Sequence, residues 1–297
     1  MDMIEVSTPD GRTLEVLDAG GDGFPLLYVS GTPSAAVTGT PFDEAAARLG
    51  LRLVTWSRPG YGGSTPWPEG RRPVQVADDV ADVRAILLAL GIDEFVVLGW
   101  SGGGPRALAC AALLPGRCRA AASLAGVAPY DAEGLDFVAG MGPENVRDME
   151  AAAQGYDVLR PIIEAEVKEF AEVSADEIVA AFGGLVDEVD AAAMTGDLAD
   201  YLARAMRAAA RQGATGFLDD SITIVEPWGF SVADIDVPIS IWQGRHDLMV
   251  PFAHGVWLAD AIPGARRHLY DDEGHISLVV QADKILADLV DQAGLGH

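Results

Sequence analysis

Ser101 stands in Gly99-Trp100-Ser101-Gly102-Gly103, between the apolar run Val96-Val97-Leu98 and a helix-like segment starting near Pro105. A serine hydroxyl attacks a carbonyl only when a base takes its proton, and a G-x-S-x-G turn from strand to helix exposes such a serine. The turn demands small residues two before and two after the nucleophile, which Gly99 and Gly103 supply, while Gly104 has no role visible in the sequence. The emerging helix also points free N–H groups and its positive dipole end at a developing oxyanion. Two plainer readings compete, a tight turn and a phosphate cradle. The cradle is disfavoured, because neither G-x-x-x-x-G-K-[ST] nor G-x-G-x-x-G occurs and the only lysines are Lys168 and Lys284.

The serine needs a base, and the chain has five histidines. His297 is terminal; His268 lies in an expected strand, where a structural role fits. His254 opens an expected helix, as a cap or facing solvent, and His246 sits on the strand end that should carry the acid. His275, in Glu273-Gly274-His275-Ile276-Ser277, falls in a loop between the last expected strand and helix, from which a base reaches back over a sheet. Asp247, in Gly244-Arg245-His246-Asp247, lies just past a strand's carboxyl end, where active sites of open α/β sheets form. Asp271 and Asp272 are rival acids but lie close to His275 in sequence. The expected triad is therefore Ser101, Asp247 and His275, with Asp247 orienting the imidazole. The Gly102 N–H is the first expected oxyanion donor, and the Thr32 N–H in Ser30-Gly31-Thr32-Pro33 is the second. Trp100 is expected to line the acyl pocket, with Tyr61 and Trp228 as further pocket residues.

The elements that must position these residues alternate along the chain. Residues 4–16 read as a hairpin around Pro9-Asp10-Gly11-Arg12, and apolar runs at 25–29, 51–56, 94–98 and 120–127 read as buried strands. Helical spacing occupies 74–90 and 105–114. The alternation returns with strands at 237–244 and 266–271 and helices at 253–262 and 276–293. Strands alternating with helices imply an α/β fold with a mostly parallel sheet. Residues 131–233 instead carry amphipathic helices and no buried strand. Ser174-Ala175-Asp176-Glu177 reads as a capping box there, and Leu198, Tyr201, Leu202, Ala205 and Met206 form an apolar stripe. The expected organisation is a core of residues 1–130 and 234–297, interrupted by a helical insertion over 131–233.

The chain has 297 residues, 49% of them hydrophobic, which suits one large α/β domain with an insertion. Its net charge of −25 opposes nucleic acid and anionic membranes as partners, and 15 of those charges fall in 131–233. Cys110 and Cys118 match no metal-ligand spacing and read as small buried residues. No signal-peptide pattern opens the sequence, and no apolar run approaches the roughly 20 residues of a membrane span, so a cytoplasmic location is expected.

In order and approximate spacing, "YVSGTPS", "SRPGYGGS", "VLGWSGGGPRALA", "GRHDLMVP" and "EGHISL" resemble the α/β-hydrolase superfamily over nearly the whole chain. The resemblance implies a mostly parallel α/β-hydrolase sheet flanked by helices, with 131–233 as a helical cap. It implies serine hydrolysis of an ester, thioester or lactone of a small hydrophobic substrate, without metal or organic cofactor. A proline-iminopeptidase-like aminopeptidase, a C–C bond hydrolase and a non-catalytic ligand-binding protein are the alternatives. Two departures stand out. Ser30-Gly31 replaces the family's usual His-Gly at the oxyanion loop, so the support of that loop should differ. Ser57-Arg58-Pro59 lacks the frequent aspartate before the arginine. Serine at position 101 argues against haloalkane dehalogenases and epoxide hydrolases, which use aspartate there.

Overall fold

The apolar runs are short, rich in valine, leucine and isoleucine, and buried on both sides, the signature of strands covered by helices. In a computed structural model, which describes every residue except Glu69, Arg71 and His297, they form one eight-stranded sheet. The strands are β1 (Asp2–Ser7), β2 (Thr13–Asp18), β3 (Phe24–Val29), β4 (Leu51–Trp56), β5 (Phe95–Trp100), β6 (Cys118–Leu124), β7 (Ile239–Gly244) and β8 (Arg266–Tyr270). Their order is β1-β2-β4-β3-β5-β6-β7-β8. The expected hairpin pairs Ile4 with Val16, β2 runs antiparallel to β4, and all other pairs are parallel.

The sheet separates two apolar cores because side chains alternate across it. Leu27, Val29, Val97 and Ile241 face one core, while Leu26, Tyr28, Leu98 and Trp242 face the other. Helices α2 (Val80–Ala89), α3 (Gly104–Leu113) and α10 (Phe252–Ala261) cover the first face. Helices α1 (Asp43–Arg48) and α11 (Ala282–Gln292) cover the second. The sequence reading missed α1, whose six residues are too few to show a period. It also ran two helices together with the turns before them: residues 76–79 and 277–281 are 3₁₀ turns preceding α2 and α11.

Between β6 and β7 the chain forms α4 (Pro143–Gln154), α5 (Tyr156–Phe170), α6 (Ile178–Phe182), α7 (Glu188–Ala193), α8 (Gly196–Ala209) and α9 (Thr215–Val225), with no strand among the described residues. Half of the expected capping box is present: Glu177 accepts bonds from the Ser174 N–H and hydroxyl, but α6 begins only at Ile178. A third apolar cluster, including Tyr61, Leu159, Ile163, Phe217 and Leu218, packs these helices together.

The chain leaves β3 for β4 on one side and later enters β5 on the other. That reversal opens a crevice at the carboxyl ends of β3 and β5. Ser101 directly follows the end of β5, and Thr32 lies three residues past the end of β3.

Candidate active site

Strand β5 ends in a turn that bends sharply into α3, and Ser101 occupies its corner at φ 55°. A non-glycine residue in the left-handed region is strained, and such strain persists where the surrounding structure enforces it. The neighbouring glycines permit the bend in different ways. A β-carbon on Gly99 would strike the Gly103 carbonyl, and one on Gly103 would strike the Val29 carbonyl. Gly104, unassigned from the sequence, packs α3 against the end of β6: its β-carbon would lie 2.6 Å from Ser123 Oγ and 2.8 Å from Gly126 Cα. A β-carbon on Gly102 would meet Thr32 Oγ1 at 2.5 Å and the Thr32 amide nitrogen at 3.4 Å. The backbone after the serine thus lies directly against the loop after β3.

Asp247 and His275 meet across the ends of β7 and β8. The Nδ1 of His275 lies 2.8 Å from Asp247 Oδ2, with both side chains buried. Asp247 is itself immobilised. Its Oδ1 accepts the N–H groups of Met249 and Val250 at 2.9 and 2.7 Å, and Gln243 Nε2 donates to Oδ2 at 2.8 Å. Burial by itself would push the His275 ring down, but the charge and hydrogen bond of Asp247, aided by the charge of Asp190, hold it above its ordinary value. Ser101 and His275 line one cavity of about 70 Å³. No direct hydrogen bond joins the serine hydroxyl to the imidazole, and in unliganded enzymes such bonds commonly tighten only with substrate.

Trp100 lines that same cavity with Leu202, Ala205, Met206 and Met249, and its Nε1 donates to the His275 carbonyl at 3.3 Å. A second, larger cavity of about 460 Å³ opens on Ser101, Thr32 and Gly102 and lies within the range usual for ligand pockets. Its wall mixes Met149, Ile162 and Phe170 with Arg147, Asp148 and Glu166. Burial, reinforced by neighbouring Asp148, pushes the Glu166 carboxyl up to about 7.

Tyr61 and Trp228 line neither cavity. The Tyr61 hydroxyl donates to Asp220 Oδ2 at 3.0 Å inside a buried network, and Trp228 packs against Phe230 in the core beneath the sheet. Both are large aromatics that sequence alone cannot sort between core and pocket. His254 neither caps its helix nor faces solvent. It is fully buried, its Nδ1 accepts the Ala128 N–H at 3.1 Å, and its Nε2 donates to the Phe137 carbonyl at 2.8 Å. His246 pairs with Asp187 at 2.7 Å, and His268 stacks on Trp242 at 3.7 Å between ring centroids. His297 lies outside the described residues. Cys110 and Cys118 are free and buried. Among the described residues no cluster of three metal-ligating side chains occurs, and no helix is long and apolar enough to cross a membrane.

The sequence reading missed several side chains around this site. Asp190, on α7, is fully buried and accepts three backbone N–H groups, from His275 through Oδ2 and from Ile276 and Ser277 through Oδ1, at 2.8–2.9 Å. Asp220, on α9, binds both Arg58 and Arg106. The sole sequence signal for Asp220 is an acidic pair, Asp219-Asp220, inside the otherwise apolar "GFLDDSITIV"; nothing marks Asp190.

Comparison with known proteins agrees with this architecture. A family profile described as alpha/beta hydrolase fold matches residues 25–282. Over 236 residues, covering 80% of this chain and 83% of the relative, the sequence is 31% identical to a pimeloyl-[acyl-carrier protein] methyl ester esterase of Aromatoleum aromaticum. It is 25% identical over 273 residues, 89% of each chain, to a non-heme chloroperoxidase of Kitasatospora aureofaciens. Among solved structures, a bromoperoxidase from Bacillus anthracis superposes with a TM-score of 0.70 at 17% identity, over 98% of this chain and 100% of that one. A thermophilic esterase from Thermogutta terrifontis gives 0.66 at 17% identity, over 99% of both chains. At such identities the structural likeness speaks to the fold alone. The profile match and the 31% identical relative carry the assignment: the chain belongs to the alpha/beta hydrolase fold family.

Proposed function

We propose that the protein is a serine hydrolase that cleaves a carboxylic ester, thioester or lactone of a small hydrophobic substrate. The observation that carries this reading is the convergence of Ser101 and His275 on one cavity, with His275 tied through Nδ1 to buried Asp247 at 2.8 Å. A relative named as a methyl ester esterase favours the ester among these bonds.

The Nε2 of His275 accepts the Ser101 hydroxyl proton as Oγ attacks the carbonyl carbon, and Asp247 stabilises the resulting imidazolium. The Thr32 and Gly102 N–H groups bind the oxyanion. Collapse of the tetrahedral intermediate breaks the carbonyl–oxygen bond, and His275 returns the proton to the departing alkoxide. Water, deprotonated by the same ring, then releases the acid from Ser101. The small apolar cavity beside Trp100 takes the acyl group, and the larger cavity under the cap helices takes the leaving group. No step requires a metal or organic cofactor.

The relative named as a chloroperoxidase supports a second reading, in which hydrogen peroxide replaces water as acyl acceptor. A panel of ester, thioester, lactone and amino-acid arylamide substrates, assayed with and without peroxide, separates these activities. Fluorophosphonate labelling that vanishes in Ser101→Ala supports the serine mechanism. A folded wild type that neither turns over the panel nor takes the label sinks it and favours a binding role.

A further inference from the structure

The loop after β3 lacks the histidine expected of its family, and what supports it is a buried ionic cluster. Arg58 Nη1 donates to the Ser30 carbonyl at 2.7 Å, and Nη2 donates to the Gly31 carbonyl at 2.8 Å. Gly31 C=O and Thr32 N–H belong to the same peptide unit, and in a trans peptide they point in opposite directions. The guanidinium therefore grips from behind the peptide whose front is the second oxyanion donor. A hydrogen bond from a cation to a peptide carbonyl polarises that peptide, which strengthens its N–H as a donor at low dielectric.

Arg58 is in turn held by Asp220, whose Oδ2 lies 2.5 Å from Nη2, with both side chains buried. The same carboxylate accepts the hydroxyls of Thr32 at 2.8 Å and Tyr61 at 3.0 Å, and binds Arg106 at 2.7 Å through Oδ1. Arg106 reaches the Gly102 carbonyl at 2.6 Å and is backed by Asp79 at 2.5 Å. One carboxylate on α9 thus governs the backbone on both sides of the oxyanion site. Burial pushes Asp220 up, but the charges of Arg106 and Arg58 outweigh it and hold the carboxyl below its ordinary range, ionised at neutral pH. A solvent-excluded cluster of this kind is weak evidence for stability, since desolvation offsets much of its attraction.

We propose that Asp220 and Arg58 are positioning residues for the oxyanion hole, orienting and polarising the Gly31–Thr32 peptide so that its N–H meets the developing negative charge. The proposal rests on the serine hydrolase reading and on the Thr32 N–H as a donor. It makes the oxyanion hole dependent on an acid contributed by the inserted helices.

The test uses full-length Asp220→Asn, Arg58→Lys and Thr32→Val, with hydrolysis of p-nitrophenyl acetate and inhibition by an aryl trifluoromethyl ketone, whose Ser101 adduct carries an oxyanion. Losing one oxyanion donor costs about 10²–10³ in kcat, so misplacing one should cost on the order of 10–100-fold. Asp220→Asn and Arg58→Lys should lower kcat by that factor with KM nearly unchanged, and weaken the ketone in step. Thr32→Val keeps the ions and the N–H but loses the tether to Asp220, so it should lose kcat and ketone affinity together by a smaller factor. This variant decides the matter if the other two fail to fold. Wild-type kcat and ketone affinity in the folded variants, or a kcat loss with full ketone affinity, overturns the proposal. Ester turnover that survives Ser101→Ala overturns the underlying reading instead.

Discussion

Asp190→Asn isolates what helix α7 does for His275, the base of the proposed mechanism. The carboxylate accepts three backbone N–H groups at the His275 turn, and a β-carbon on Gly274 would collide with it, so the fit is close. Asparagine keeps one acceptor oxygen for Ile276 and Ser277 but turns an NH₂ group towards the His275 N–H. One charge-assisted bond, worth roughly 1.5–3 kcal/mol net, is lost and the other two weaken. Against this, burial holds the Asp190 carboxyl above its ordinary value, so removing its charge recovers some desolvation cost. The expected loss of stability is about 1.5–3 kcal/mol, a fall in Tm on the order of 2–5 °C for a chain of this size. The catalytic consequence has its own sign. Asp190 is one of the charges that favour the imidazolium, so without it the His275 pKa falls and the acid limb of kcat/KM moves to lower pH. A small misplacement of the ring should also lower kcat on the order of 10–100-fold. Ester hydrolysis measured across the imidazole titration range, with thermal melts of both proteins, reads all three effects. A variant with the wild-type acid limb and wild-type Tm would refute the reasoning.

Other perturbations probe the remaining steps. In the wild type the base must be neutral, and His275 lies above its ordinary 6.5, so kcat/KM should fall with acidification through an apparent pKa above 6.5; a profile flat to lower pH would count against His275 as base. Ser101→Ala should lower ester turnover by roughly 10⁴–10⁶ with the fold intact by circular dichroism, and retention of activity would remove Ser101 from the mechanism. Met206→Trp, which fills the cavity beside Trp100, should shift chain-length preference towards shorter acyl groups; an unchanged preference across a p-nitrophenyl ester series would place the acyl group elsewhere. Gly104→Ala, which forces α3 off Ser123 and Gly126, should cost about 1–3 kcal/mol in urea unfolding, and an unchanged midpoint would deny the close packing.

The sheet was legible because its strands are buried on both faces and read as unbroken apolar runs, and because Gly, Pro and charged residues punctuate them. The turn around Ser101 was legible because few residue types tolerate so crowded a bend; Asp247 and His275 were singled out because each follows an expected strand's carboxyl end, and the structure brings the two into contact. Tyr61 and Trp228 were misplaced because burial beneath the core and burial along a pocket leave the same trace in composition. The same ambiguity hid the neutral, doubly bonded state of His254, whose pKa burial pushes down.

By itself the sequence determined the alternation of elements, the helical stretch between β6 and β7, and the chain order of Ser101, Asp247 and His275. These are local matters, decided by periodicity and by the tolerance of a tight turn for glycine. Only the tertiary structure decided which charges lie behind the site. Asp190 and His275 are 85 residues apart, and Asp220 and Arg58 are 162 apart. A buried carboxylate is recognisable only once the donors that surround it are known, and those donors come from segments the chain brings together by folding.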